Sequence, residues 1–124
     1  MYYILALFYN KNNEPSIHGL WPRYDKNNWP EYCKPDETFD IEKISDLLEE
    51  LNKHWWSWGH HNNPKFWEHE YLKHGTCGFD SEYIYFKTAL DCYYAHINNK
   101  EELKMCKHGH EIRIDIKQCD IIKY

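Results

Sequence analysis

Residues 2–9, Tyr-Tyr-Ile-Leu-Ala-Leu-Phe-Tyr, form an unbroken apolar run that gives way to the polar, proline-closed stretch Asn10 to Pro15. A run of this length, rich in aromatic and branched side chains and followed by turn residues, predicts a strand. Residues 16–21 predict a second strand, which carries His18, and a polar loop runs on to about Asp36. Phe39, Ile41, Ile44, Leu47, Leu48 and Leu51 then recur at helical spacing, so a helix is expected over about 40–53. After an aromatic, histidine-rich loop, Asn63 and Pro64 read as the cap and first position of a helix over 65–74, and Gly75 as its stop. Ser81 predicts the cap of a third helix reaching about Asn98, with Tyr83, Phe86, Leu90 and Tyr94 on one side. A short helical turn follows near Lys100 to Met105. Glu111 to Lys117 alternates polar and apolar without a break, the signature of a half-buried strand, which Ile121-Ile122 are expected to extend. The expected class is α+β: an antiparallel β-sheet backed by helices, in one domain over 1–124.

Composition narrows the partners. The chain carries 15 Lys and Arg against 20 Asp and Glu, a net charge of −5. That balance argues against broad binding of duplex nucleic acid, which needs a basic face. It leaves room for a small positive cleft that gains charge as histidines protonate. Aromatic residues make up 18% of the chain, with six Trp and eleven Tyr. Most of these belong to the core, and the remainder are available for stacking on something flat. No transmembrane segment is visible, and Met1 to Tyr9 is too short for the apolar core of an export signal and lacks its basic start. No segment suggests action on a membrane. Five cysteines, Cys33, Cys77, Cys92, Cys106 and Cys119, allow at most two internal disulfides, and none has the spacing of a structural zinc site. Cys106 and Cys119 flank the alternating strand and are the expected pair there, with Cys92 a buried thiol on the third helix. A fully reduced chain remains the alternative.

The chemistry concentrates in two segments, Ser16-Ile17-His18-Gly19-Leu20-Trp21-Pro22 and Phe66-Trp67-Glu68-His69-Glu70-Tyr71-Leu72-Lys73-His74-Gly75-Thr76-Cys77. On a helix, about 100° per residue sets Glu70 and His74 on one face and His69 and Lys73 on the adjoining strip. Ionisable groups so crowded suit an anion better than solvent. His69-Glu70 with His74 superficially suggests a zinc hydrolase. That motif needs histidines four residues apart, and these are five apart, so no metal or other cofactor is expected. Taken singly, His18 reads as readily as a core histidine, Glu70 and Lys73 as solvated helix charges, and His69 as structural.

The two segments together resemble the active-site segments of the T-two ribonucleases, transferase-type endoribonucleases. The fit is close throughout the second segment except at Tyr71, where that family usually carries Trp or Phe. The resemblance reaches from Tyr2 to about Leu90, and the family is typically longer, so a trimmed C-terminal half is expected. It implies a Cys33–Cys77 disulfide and metal-independent cleavage of single-stranded RNA to 2′,3′-cyclic and then 3′-phosphate ends. RNA carries its own nucleophile, the 2′-hydroxyl, so a base, an acid and positive charge suffice. By resemblance His74 is the base and His18 the acid. Lys73 and Glu70 act on the phosphoryl oxygens, and His69 binds phosphate. Trp21 and Trp29 match stacking positions, and Phe66 a second base contact. Arg23 stands where the family commonly has Asp or Asn; its donors favour acceptor edges such as guanine O6/N7, so the family's base preference does not carry over. His60 and His61, in the loop before the second segment, are left as solvated. The resemblance also implies a secreted or vacuolar monomer, with an intracellular protein as the alternative because no export signal is visible. The rival function is a binding module for RNA or protein, derived from such an enzyme.

Overall fold

The computed structural model describes residues 2–9, 14–57 and 62–98, together with the strands over 111–117 and 120–123. The expected pairing of Cys106 with Cys119, the helical turn near 100–105 and the loop histidines His60 and His61 lie outside the described residues. Strand β1 (Tyr2–Tyr9) pairs antiparallel with β2 (Pro15–Arg23) on one side and with β3 (Glu111–Lys117) on the other. Strand β4 (Asp120–Lys123) pairs antiparallel with β3, giving the order β2-β1-β3-β4. Ile121 and Ile122 therefore do not extend the preceding strand. They belong to a return strand that places Ile121 opposite Ile116.

The helices differ from the sequence expectation mainly at their ends. The helix expected over 40–53 is a 3-10 segment, Ile41–Leu47, running into α1 (Leu48–His54), with a kink at Ile44 (φ −116°, ψ 19°). Its apolar spacing still buries Ile44, Leu47 and Leu51. The active-segment helix α2 is Asn63–Lys73. Its cap is Asn62, whose side chain accepts the Lys65 N–H at 2.9 Å, and Asn63 lies inside the first turn. Gly75 is not a left-handed stop. It opens a 3-10 turn, Gly75–Cys77, and its lack of a side chain matters for packing, since a Cβ there would sit 2.7 Å from Tyr71 Cδ1 and 2.9 Å from Tyr85 Cγ. Helix α3 (Glu82–Ile97) begins as expected, with the Ser81 hydroxyl accepting the Ile84 N–H.

The core lies between β1 and β2 and the three helices, filled by Leu5, Leu7, Ile17, Leu20, Trp55, Trp67, Tyr71, Tyr85, Phe86 and Leu90. Burial on this scale is what orders the chain, at about 1.5–3 kcal/mol for each large apolar side chain. Strand β2 is an edge of the sheet, and unpaired backbone on an edge needs partners. Tyr85 of α3 supplies them. Its hydroxyl donates to Leu20 O at 3.1 Å and accepts the Leu20 N–H at 3.3 Å. Burial pushes this phenol far up, so it stays protonated. Tyr85→Phe leaves both groups of Leu20 unpaired in the core. The expected cost is about 1–2 kcal/mol, read from the urea midpoint with an unchanged slope.

The Cys33–Cys77 disulfide forms, closing a loop across a separation of 44 residues. A loop of that size stabilises by about 4 kcal/mol through the chain entropy it removes from the unfolded state. Cys92 is buried on α3, outside that bond. Among the described residues, no helix is long and apolar enough to cross a membrane.

Candidate active site

The site is built where β2 meets α2. The β1–β2 ladder pairs Ala6 with Gly19 and Leu7 with Ile17, so His18 is the extra residue of a bulge. A bulge breaks the inward–outward alternation and re-aims a side chain. Here it turns His18 out of the ladder toward α2, with its side chain 28% exposed. Alternation in the sequence gives no sign of it. From α2, Glu70 and His74 project from one face, as their four-residue spacing requires. His18 Nε2 lies 3.7 Å from Glu70 Oε1, and His74 Nε2 lies 3.5 Å from Glu70 Oε2. Two histidines from distant segments thus converge on one carboxylate.

Gly19 makes this convergence possible. A Cβ on it would collide with Trp21 Nε1 and lie 3.1 Å from Glu70 Oε2. Trp21 is buried, with its ring centroid 4.9 Å from that of His18 and 5.5 Å from that of His74. It is a wall of the histidine site rather than an open platform. Of the two tryptophans, Trp29 is the exposed one. The Arg23 guanidinium covers one of its faces, with Cζ 4.3 Å from the Trp29 centroid and 5.6 Å from the Trp21 centroid. Arg23 itself is buried, and its Nη1 donates to Pro22 O at 3.0 Å. Phe66 is half-buried against the core, 6.0 Å between centroids from His18.

An open cleft of about 260 Å³ gathers His18, Trp21, Arg23, Trp29, His69, Glu70, Lys73 and His74. Every catalytic, phosphate and base residue expected from the sequence lines it except Phe66, which stands beside His18. The cleft also contains Glu31, which the sequence reading passed over. Glu31 Oε1 is 3.7 Å from Lys73 Nζ and accepts the Trp29 Nε1–H at 2.9 Å. Its position two residues after Trp29 was the available signal. Tyr32 N–H donates to Lys73 O at 2.9 Å, and the Cys33–Cys77 bond follows, so the whole loop is clamped to α2.

Burial governs the charges. Desolvation raises the Glu70 carboxyl to about 8, against the smaller opposing pull of the Trp21 indole N–H and Lys73. Desolvation lowers His74 to about 3, helped by the positive charges of Lys73, Arg23, His69 and His18. Burial thus favours the uncharged form of each group, a protonated carboxyl beside a neutral imidazole able to accept a proton. A protonated Glu70 can donate to a phosphoryl oxygen, where a carboxylate would repel it. Among the described residues, no group of three or more His, Cys, Asp and Glu is arranged to hold a metal ion.

Comparison with known proteins gives the chain its family. The chain is 45% identical over 78 residues to the intracellular ribonuclease LX of Solanum lycopersicum, an overlap covering 61% of this chain and 33% of that one. It is 40% identical over 85 residues to the ribonuclease T2 of Homo sapiens, covering 63% of this chain and 31% of that one. The chain thus spans about a third of the length of these curated relatives. Among solved structures, human RNase T2 superposes with a TM-score of 0.70 at 31% identity, covering 84% of this chain and 61% of that one. RNase NT, solved in complex with 5′-AMP, gives 0.68 at 32% identity, with 84% and 60% covered. A model of the Ribonuclease T2 family matches residues 5–109, more than half of this sequence, and the chain belongs to that family.

Proposed function

We propose that the chain is an endoribonuclease that cuts single-stranded RNA by transphosphorylation without a metal. The observation that carries this reading is the approach of His18 and His74 to the same Glu70 carboxyl, at 3.7 and 3.5 Å, inside a cleft that also holds Lys73 and His69. In the first step His74 Nε2 takes the proton of the 2′-hydroxyl, and the 2′-oxygen attacks phosphorus. The bond from phosphorus to the 5′-oxygen breaks, and that oxygen takes a proton from His18. The product is a 2′,3′-cyclic phosphate. In the second step His18 accepts a proton from water as it attacks phosphorus. The bond to the 2′-oxygen breaks, and His74 returns the proton, leaving a 3′-phosphate. Lys73 balances the charge that grows on the phosphoryl oxygens, neutral Glu70 donates to one of them, and His69 at the exposed rim binds phosphate.

The single test is cleavage of single-stranded RNA in EDTA from pH 4 to 8, with the product ends identified. Cutting that resists EDTA and leaves 2′,3′-cyclic or 3′-phosphate ends is the expected result. Intact RNA from folded protein overturns the reading and leaves a binding module. Cutting that EDTA abolishes, or that leaves 5′-phosphate ends, overturns the mechanism.

A further inference from the structure

The clamped loop after β2 carries more than a stacking ring. Trp29 is 42% exposed, and its indole N–H points at Glu31 Oε1, so the carboxylate stands at the polar edge of the ring. Arg23 lies against a face of the same ring. The loop is held in place at three points: Tyr24 N–H donates to Asn28 O at 2.8 Å, Tyr32 N–H donates to Lys73 O, and Cys33 is bonded to Cys77. Tyr32 takes φ 49°, a left-handed conformation that a bulky residue holds only when its surroundings force it. Glu31 is therefore a placed acidic group in a cleft otherwise supplied with cations, where a bound phosphate would be better off without it. Such a carboxylate needs a reason to be there.

We propose that Glu31 reads a base, and that the pocket it shares with Arg23 and Trp29 takes a guanine next to the scissile phosphate. This rests on the reading of the cleft as an RNA site. Stacking on Trp29 gives affinity without choice, since every base has a flat face. Choice comes from the edges. A carboxylate only accepts, through two oxygens, and a guanidinium only donates. Guanine presents two adjacent donors, N1–H and the N2 amino group, beside the acceptor O6, with N7 a further acceptor. It alone offers a donor pair to Glu31. Adenine and cytosine set a single amino group beside a ring nitrogen whose lone pair a carboxylate repels. Uracil places one N–H between two carbonyl oxygens. Glu31 also lies 3.7 Å from Lys73 Nζ, which gives it a competing role as a counter-ion. That role is blind to the base, and the difference is measurable.

The experiment compares wild type with Glu31→Gln, whose side chain is 39% exposed in the parent and so tolerates the change. Quenching of tryptophan fluorescence gives the affinity for 5′-GMP, 5′-AMP, 5′-CMP and 5′-UMP. In parallel, kcat/KM is measured on dinucleotides with each base on either side of the phosphate. The expected result is 5′-GMP binding about ten- to a hundredfold tighter than the other three, with that ratio collapsing in Glu31→Gln. Equal affinities in wild type, selectivity that survives the substitution, or a substitution that shifts all four nucleotides alike each overturn the proposal. The two readings fail separately. Selective binding without cleavage keeps guanine reading and removes the ribonuclease. Cleavage without selectivity does the reverse.

Discussion

His18→Ala is expected to lower the proposed turnover of single-stranded RNA by about 100- to 10,000-fold, and His74→Gln to do the same. The magnitude is that of losing one general acid or base from a reaction that needs both. The two substitutions differ in what they ask of the fold. The His18 side chain is 28% exposed on a bulge, against the rings of Trp21 and Phe66, so removing it opens no closed core. The His74 side chain is 8% exposed and lies against Trp21 and Glu70, so Gln is chosen to keep a polar side chain of similar length there. Glutamine can hydrogen-bond the Glu70 carboxyl but cannot cycle a proton. Because acid and base act in one transition state, the double variant should fall little below the worse single one, far short of the product of the two losses. Single-turnover rates, with thermal midpoints confirming folded protein, decide it. Either variant cutting at the parent rate to the same product ends removes the histidine pair as the engine of the reaction.

The sequence shows the equipment of this site more readily than its construction. The four-residue spacing of Glu70 and His74 fixes a shared helical face, because side-chain direction on a helix follows from geometry alone. The first two strands, the capping of α3 by Ser81 and the Cys33–Cys77 bond were visible for similarly local reasons or through family resemblance. What was hidden depends on contacts between distant residues. The bulge that turns out His18 is a property of the register between β1 and β2, not of either strand. Gly75 follows the end of α2 as expected, but its second role, leaving a gap filled by Tyr71 and Tyr85, depends on packing. Asn62 and Asn63 offer identical capping chemistry, and only the path of the chain into α2 selects the first. Trp21 and Trp29 look alike as stacking candidates, yet one is a buried wall and the other an exposed ring backed by Arg23. Glu31 gained its meaning only when the loop was clamped beside Lys73.

The Glu70–His74 pair should also shape stability, with a maximum on the acid side of neutrality. In the unfolded chain the two groups titrate near 4.5 and 6.5, and in the folded chain near 8 and 3. Between pH 3 and 4.5 the unfolded state carries two protons on this pair and the folded state one, so stability rises with pH. Between 4.5 and 6.5 each state carries one and the contribution is flat. Between 6.5 and 8 the unfolded state carries none and the folded state still carries one, so stability falls as pH rises. Each sloping limb amounts to about 2 kcal/mol at about 1.4 kcal/mol per pH step. Urea midpoints across pH 3–9 measure the curve, and variants separate the limbs. Glu70→Gln removes the group that retains a proton up to about 8 and should abolish the fall above 6.5. His74→Gln removes the group that resists protonation and should abolish the rise below 4.5. Other carboxyls, such as Asp25 and Glu37, shift downward through their hydrogen bonds and add to the acid limb of every variant equally, so differences between curves isolate the pair. A Glu70→Gln curve that runs parallel to wild type from 6.5 to 8 would mean that Glu70 is ionised in the folded protein. The neutral donor proposed for the phosphoryl oxygen would then be absent. If instead the limb disappears, the plateau from 4.5 to 6.5 lies inside the wider range, from about 3 to about 8, in which the proposed base is unprotonated and the proposed donor still holds its proton. Stability and chemistry would then share one proton, held by burial at the point where two distant segments of the chain meet.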